Sequence, residues 1–325
     1  MKKTIAVLMG GNSSEYEVSL NSGKQVFESL DRDKYDIYPI LLRGSEWCVL
    51  DDNHRHEINK DNFSFKLMGK EIKFDCVFIV IHGTPGEDGR IQGYFDMLKI
   101  PYSSCDLLTS ALTFNKNVCK NYLKNFDIKM AKSLTIKKHD SIDPYHIVNE
   151  LDLPVFIKPN NGGSSCGTSK VKSVDEIEKA IRTALKEDAE VIIEQFIEGT
   201  EVTNGVICVR HQQLILPITE VISKNDFFDY EAKYNANKAT EITPARLSDE
   251  LTEKCKAISA KICSVLNCKG IVRIDYILKD NEFYFLEINT IPGMTKTSFI
   301  PQQIKAHGLN LKDVYTTIIE DAMTR

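Results

Sequence analysis

The chain has 325 residues, of which 42% are hydrophobic and 27% charged, with a formal net charge of −5. That balance supplies two or three packed cores and requires no disorder. It excludes a general binder of phosphate backbones, so no nucleic-acid partner is expected, and no apolar stretch approaches the ~20 residues of a membrane helix, so no membrane partner is expected either.

From the start of the chain, two lysines precede the run TIAVLMG at 4–10. This apolar run is about six residues long, short of the roughly 7–15 in a signal-peptide core, and no small-residue cleavage site follows. A buried strand entering a glycine turn is the better reading. The spacing then predicts a helix over about 17–30 and a strand over about 36–42. His54 and His56 form an HxH in a polar stretch that reads as a solvated loop rather than a metal site. CVFIVIHG at 76–83 is the continuous apolar run of a strand buried on both faces of a parallel sheet. Residues 1–104 therefore read as an α/β domain.

A second domain is expected over 105–198. PVFIKP and GTSKV are short strands flanking a glycine-rich turn, and VIIEQF is another. Between them, Ser173 and Glu176 form an S-x-x-E capping box before Ile177, Ile181 and Ala184, which repeat at helical spacing. The last domain, 199–325, opens with strands at 201–209 and 213–221. A polar stretch over 223–247 follows, long enough to be a functional loop. Ser248 then caps a helix whose face carries Leu251, Cys255, Ile258, Ile262 and Val265. The nine cysteines show no CxxC pairing and read as reduced thiols of a cytoplasmic protein.

GIVRIDYIL and EFYFLEINT, joined by the turn KDN, read as a hairpin over 270–290. Alternation puts Arg273 and Asp275 on one face of it, and Glu287 and Asn289 on the same face of the partner strand. Two carboxylates and an amide oxygen are the hard ligands Mg²⁺ takes, and Arg273 beside them suits a developing anion. A surface salt-bridge ladder fits the alternation equally well. The Pro-Gly turn after Thr290 tips the balance toward a site, because it frees backbone N–H groups beside the polar face, Gly293 among them.

KPNNGGSSCG at 158–167 is not a Walker loop. Its glycines and Ser164 and Ser165 suit an anion nest, with Lys158 and Lys116 as phosphate cations. A flexible connection and solvated lysines are the plain alternatives. The turn GGNSSE lacks G-x-G-x-x-G, which argues against a dinucleotide site.

Taken in order, GGNSSEYEVSLNSG, HGTPGEDGRIQG, IPYSSC, KPNNGGSSCG, EQFIEGTEVT, FFDYEAKY, ITPAR and GIVRIDY…FLEINTIPGMTKTS resemble the D-alanine–D-alanine ligases of the ATP-grasp superfamily over nearly the whole chain. The resemblance implies an α/β, three-domain ATP-grasp architecture. Its N-terminal domain would contain a parallel sheet, and ATP would lie between the central and C-terminal α+β domains. It implies two D-alanines and ATP as ligands, two Mg²⁺ ions (Mn²⁺ as a substitute) and a homodimer. By the same resemblance Glu15 would take the ammonium of the first D-alanine, with His82 by its carboxylate. Lys116 and Lys158 would hold phosphates together with Ser164, Ser165 and Lys233. Glu194, Phe196 and Ile197 would line the adenine pocket, with Glu201 on the ribose. Asp275, Glu287 and Asn289 would hold the metals, Arg273 and Gly293 the oxyanion, and Ser298 the carboxylate of the second D-alanine. Tyr234 would close against Ser164 and Glu15, making 223–247 a lid. The rival readings are a sister ligase using D-serine or D-lactate, a catalytically silent nucleotide-binding regulator, and an NAD oxidoreductase.

Overall fold

The structure is a computed structural model that describes residues 2–51, 54–163, 166–223 and 239–325. The roles expected of Ser164, Ser165, Lys233 and Tyr234 lie outside the described residues.

Strand β1 (Lys3–Gly10) is the first apolar run, and Ile5 to Leu8 have no exposed surface. After it come β2 (Tyr35–Arg43), β3 (Glu46–Asp51), β4 (His54–Glu57), the hairpin β5 (Ser64–Leu67)–β6 (Lys70–Lys73) and β7 (Cys76–Ile79). The first sheet has the order β4-β3-β2-β1-β7. β1 pairs in parallel with β2 and β7, while β3 and β4 extend the sheet antiparallel. Helices cover a central parallel strand on both faces, which is why β1 and β7 are apolar at nearly every position.

Two expectations change here. β7 ends at Ile79, and 80–83 carry the chain off the sheet toward His82. His54 and His56 sit on the outer strand β4 rather than in a loop, with His56 Nε2 3.6 Å from Asp51 Oδ2. A short edge strand tolerates polar residues on both faces, and this hides it from a hydrophobic pattern.

The second sheet is antiparallel throughout. Its strands are β8 (Ser133–Lys137), β9 (Val155–Pro159), β10 (Ser169–Val171) and β11 (Glu190–Gln195), ordered β10-β9-β11-β8. Helices Pro144–Leu151 and Val174–Ala184 bury Ile147, Leu151, Ile177 and Ile181 against Val155, Ile157, Val191 and Ile193. The second helix begins with the expected Ser173–Glu176 capping box.

The third sheet comprises β12 (Thr200–Val209), β13 (Gln212–Ser223), β14 (Ala239–Ile242), β15 (Gly270–Lys279) and β16 (Glu282–Asn289), ordered β14-β13-β12-β15-β16 and antiparallel. β14 lies within the polar stretch expected as loop, so that its later part is an edge strand. Ser248 Oγ accepts from the N–H of Leu251 at 3.3 Å, and Asp249 and Glu250 follow in the first turn of helix Asp249–Val265. Both features suit the positive end of the helix dipole. This helix and the pair Leu107–Phe114 and Lys116–Leu123 bury Cys119, Leu123, Ile262 and Cys263 against Val272, Tyr276 and Phe285.

A further core joins the two ends of the sequence. Val7, Met9 and Phe78 of the first sheet, with Val80 just past β7, pack with Ile300 and Ile304 of helix Phe299–Ala306 and with Tyr315, Ile318 and Ile319 of helix Leu311–Ala322. All nine cysteines are free and eight are buried. Among the described residues no helix is long and apolar enough to cross a membrane.

Candidate active site

The hairpin β15–β16 carries the polar face that alternation predicts. Its register sets Arg273 opposite Asn289 and Asp275 opposite Glu287. The ladder shifts just past Asp275, leaving Leu286 as the extra residue of a bulge, and Leu286 faces the larger cleft. Ile274 and Ile288 point to the core on the other face. Asp275 is held from three sides. Arg273 donates Nε to Oδ1 at 2.9 Å and Nη2 to Oδ2 at 2.7 Å, Thr203 Oγ1 donates to Oδ1 at 2.5 Å, and Asn289 Nδ2 lies 3.3 Å from Oδ2. Burial works against the charge of Arg273, but Asp275, with Glu287 and Glu87 farther off, raises its proton affinity, so the guanidinium stays charged.

Across the cleft, the glycine loop is anchored by asparagines. Asn160 donates Nδ2 to Glu190 Oε2 at 2.5 Å and accepts from the N–H of Asn117 at 2.8 Å, while Asn161 bonds Asp188 through its N–H and Nδ2. This seats the start of helix Lys116–Leu123 on the loop. Lys116 Nζ donates to the Gly162 carbonyl at 2.6 Å and lies 3.7 Å from Glu287 Oε2. A single ammonium thus spans the glycine loop and the late hairpin.

Lys158 Nζ lies 2.5 Å from Glu194 Oε2, and Lys120 bonds the other oxygen. Burial opposes a charged Glu194, yet Lys158 and Lys120 outweigh it and hold the carboxyl near about 2. Lys158 is likewise disfavoured by burial but raised overall by Glu194 and Glu287. Lys120 was not singled out from sequence. Its signal is the i, i+4 spacing from Lys116 on one helix, which puts both ammonium groups on one side.

A cleft of about 510 Å³ lies between the second and third sheets. Its apolar lining is formed by Ala131, Phe156, Phe196, Ile197, Val221, Ile277 and Leu286. The Phe156 and Phe196 rings are 5.8 Å apart, and Lys170 Nζ sits 3.8 Å over Phe196. The same cleft is lined by Lys116, Lys158, Gly162, Gly163, Asp275 and Glu287. Arg246 donates to both oxygens of Glu220 at 2.6 and 2.9 Å along the wall. Aromatic and apolar side chains combined with lysines and a glycine loop suit a nucleoside attached to phosphates.

A second cavity of about 360 Å³ is lined by Glu15, His82, Glu87, Glu241, Arg273, Gly293 and Ser298. It shares Glu201, Asp275 and Glu287 with the first, so these carboxylates form the common wall. Glu15 and His82 lie beyond the carboxyl ends of β1 and β7, where ligands of parallel sheets bind. Gly163 lets the glycine loop approach Glu15 closely: a Cβ there would come 2.6 Å from Glu15 Oε2 and displace that carboxylate.

His82 is enclosed. Its Nδ1 lies 2.8 Å from the Ile291 carbonyl, which can only accept, so Nδ1 carries the proton and Nε2 accepts from Ser22 Oγ at 3.1 Å. Burial lowers its proton affinity against the opposing pull of Glu15, in keeping with a neutral ring. Glu87, also missed from sequence, accepts from the N–H of Gly83 at 2.7 Å and of Ile291 at 3.4 Å. Burial, then Glu15, pushes its carboxyl up to about 8. His82 and Glu87 together tie the end of the first sheet to the Pro-Gly turn. In that turn Ser298 does not cap its own helix. Its Oγ contacts Thr295 Oγ1 at 2.7 Å and accepts from the Thr295 N–H at 3.1 Å, beside Gly293.

The expected site residues among those described thus line two joined cavities. Comparison with known proteins bears on the family. Residues 4–105 match the family model "D-ala D-ala ligase N-terminus" and residues 122–320 match "D-ala D-ala ligase C-terminus". A D-alanine–D-alanine ligase of Parabacteroides distasonis is 51% identical, the match covering 99% of this chain and 98% of that protein. Among solved structures, the VanG D-Ala:D-Ser ligase of Enterococcus faecalis superposes with a TM-score of 0.87 at 34% identity, covering 98% of this chain and 99% of that one. The D-alanine–D-alanine ligase of Bacillus anthracis complexed with ATP does so at 0.79 and 29% identity, covering 99% and 98%. With both halves matched in order and the ATP-grasp pair of sheets closing on one carboxylate wall, the chain belongs to the D-alanine–D-alanine ligase family.

Proposed function

We propose that the chain is an ATP-dependent ligase that joins two D-alanines into D-alanyl-D-alanine through a D-alanyl phosphate, in the cytoplasm and for peptidoglycan precursors. The observation that carries this reading is the meeting of two cavities at Glu201, Asp275 and Glu287. A nucleotide in one and an amino acid in the other would touch along that wall, where the γ-phosphate must pass to a carboxylate. The division at residues 104 and 198 and a homodimeric state belong to the same proposal.

In the larger cleft, Phe196, Ile197 and the shielded Glu194 side of β11 receive the adenine, Glu201 the ribose, and Lys116 and Lys158 the phosphates. Asp275, Glu287 and Asn289 are a donor set of two carboxylates and an amide on one face, which fits Mg²⁺ and admits Mn²⁺. Two such ions, when bound, would neutralise charge on the transferring phosphoryl group.

In the smaller cavity, Glu15 holds the ammonium of the first D-alanine and His82 lies by its carboxylate. That carboxylate attacks the γ-phosphorus and ADP leaves; the free amine of the second D-alanine, whose carboxylate rests on Ser298, then attacks the acyl carbon, and inorganic phosphate leaves as the tetrahedral intermediate collapses. Arg273 and the Gly293 N–H stabilise the oxyanion of the tetrahedral intermediate. Catalysis is chiefly positioning and electrostatics.

The test is ADP release from ATP with D-alanine alone and in competition with D-serine or D-lactate. D-Alanine-dependent ADP release with D-alanyl-D-alanine as the main product is expected. Preferential incorporation of D-serine, to which the likeness to the E. faecalis enzyme points, would reassign the second substrate. Nucleotide binding without turnover would leave a silent regulator.

A further inference from the structure

Two amino acids that react with one another bring two ammonium groups into one cavity, and a buried ammonium needs a carboxylate partner. Glu15 lies at the end of the cavity bounded by Gly83 and Gly163. Thr297, Ser298 and Phe299 line the same cavity, and so does Glu241, on β14 opposite Val221. Gln302 Nε2 donates to Glu241 Oε2 at 2.6 Å and to the Thr297 carbonyl at 2.7 Å. One amide thus fixes Glu241 to the turn that presents Ser298.

Glu241 is half-buried and forms no ion pair among the described residues. Arg273, the arginine lining the same cavity, is engaged with Asp275 at 2.7 Å. Burial raises the proton affinity of Glu241, against the opposing effects of Gln302 and Arg273. A carboxylate tethered beside a substrate cavity, with no cation paired to it among the described residues, is suited to receive one.

We infer that Glu241 receives the ammonium group of the second amino acid, taking up the proton that must leave before the free amine attacks, and thereby selects an amine over a hydroxyl as the acyl acceptor; this rests on the ligase reading above. A 2-hydroxy acid in the same place brings no cation, so Glu241 would stay buried without its partner. A site built around a polar contact rejects ligands that lack it. Ser298 reads the carboxylate common to both kinds of acceptor, whereas Glu241 reads the group in which they differ.

The experiment uses the full chain with Glu241→Gln, which keeps the shape and the bond from Gln302. The KM for the second D-alanine is expected to rise about tenfold or more, the scale of a lost charged hydrogen bond. D-Alanyl phosphate formed from the first D-alanine, trapped with hydroxylamine, is expected to stay within about twofold of the unaltered protein. In mixed assays the ratio of D-lactate to D-alanine incorporated should increase, and Glu241→Asp should restore much of the preference for the amine.

An unchanged second-substrate KM with an unchanged product ratio would overturn the inference. So would an equal loss in the trapping step and the overall reaction, which marks a merely structural role. The unaltered protein separates the two levels: if it releases no ADP with D-alanine, the ligase reading fails and this inference falls with it.

Discussion

Arg273 and Asp275 form a two-point ion pair along one strand, with Nε 2.9 Å from Oδ1 and Nη2 2.7 Å from Oδ2. The pair fixes the guanidinium plane beside the wall common to both cavities. Arg273→Ala should reduce turnover by about 10²-fold or more, the scale of a lost oxyanion donor. Arg273→Lys should recover little of it, because a point charge cannot reproduce the fork. Steady-state ADP release measures both, and a variant as fast as the unaltered protein would remove Arg273 from the chemistry.

The clamp of Lys120 and Lys158 on Glu194 is largely buried, with Lys158 partly open to the larger cleft. Glu194→Ala would leave two buried ammonium groups without their carboxylate, at a cost of about 3–5 kcal/mol. Lys120→Ala leaves Glu194 paired with Lys158 and should cost less. Because the Glu194 carboxyl is held near about 2, its stabilisation is complete above its unfolded value and is lost as pH falls from there toward about 2. Urea unfolding of the two variants across acid pH gives the order and the slope.

Glu87 has the opposite sign. Its carboxyl is pushed up to about 8 from an ordinary value of 4.5. Between those values the folded chain keeps a proton that the unfolded chain has released, so this group makes stability fall as pH rises through the window. Glu87→Gln, which keeps the shape but cannot ionise, should flatten that part of the curve. Its stability relative to the unaltered chain should improve toward pH 8. Thermal or urea unfolding at several pH values tests this, and identical slopes in the two proteins would refute the assignment.

Removing divalent metal with a chelator should abolish ADP release, and excess Mg²⁺ should restore it. Glu287→Gln removes one hard anionic donor. It should raise the Mg²⁺ concentration for half-maximal rate by about tenfold or more. A Mg²⁺ titration of both proteins shows whether the hairpin face holds the ion.

Alternation alone located the hairpin face, since a period of two assigns every side chain of a strand once its limits are known. The capping box at Ser173 and the helix after Ser248 were legible for a similar reason, as the residues involved are near neighbours. Glu87 and Lys120 were not. Glu87 depends on Ile291, 204 positions away, and Lys120 on Glu194, 74 positions away. Without those partners in view, a lone Glu and a lone Lys look like surface residues. The edge strands β4 and β14 escaped notice because an outer strand needs one neighbour and little apolar surface. The bulge at Leu286 follows from how two strands fit together, which neither states by itself.

Val7 and Phe78 share their packing with Tyr315 and Ile319. During synthesis, the opening sheet must therefore wait for about three hundred residues before its outer layer arrives, a long interval at ribosomal speed. Until then its apolar flank is open to other chains. Fragments lacking the helix Leu311–Ala322 should accordingly cling to chaperones or precipitate, even though the nucleotide cleft lies elsewhere in the molecule.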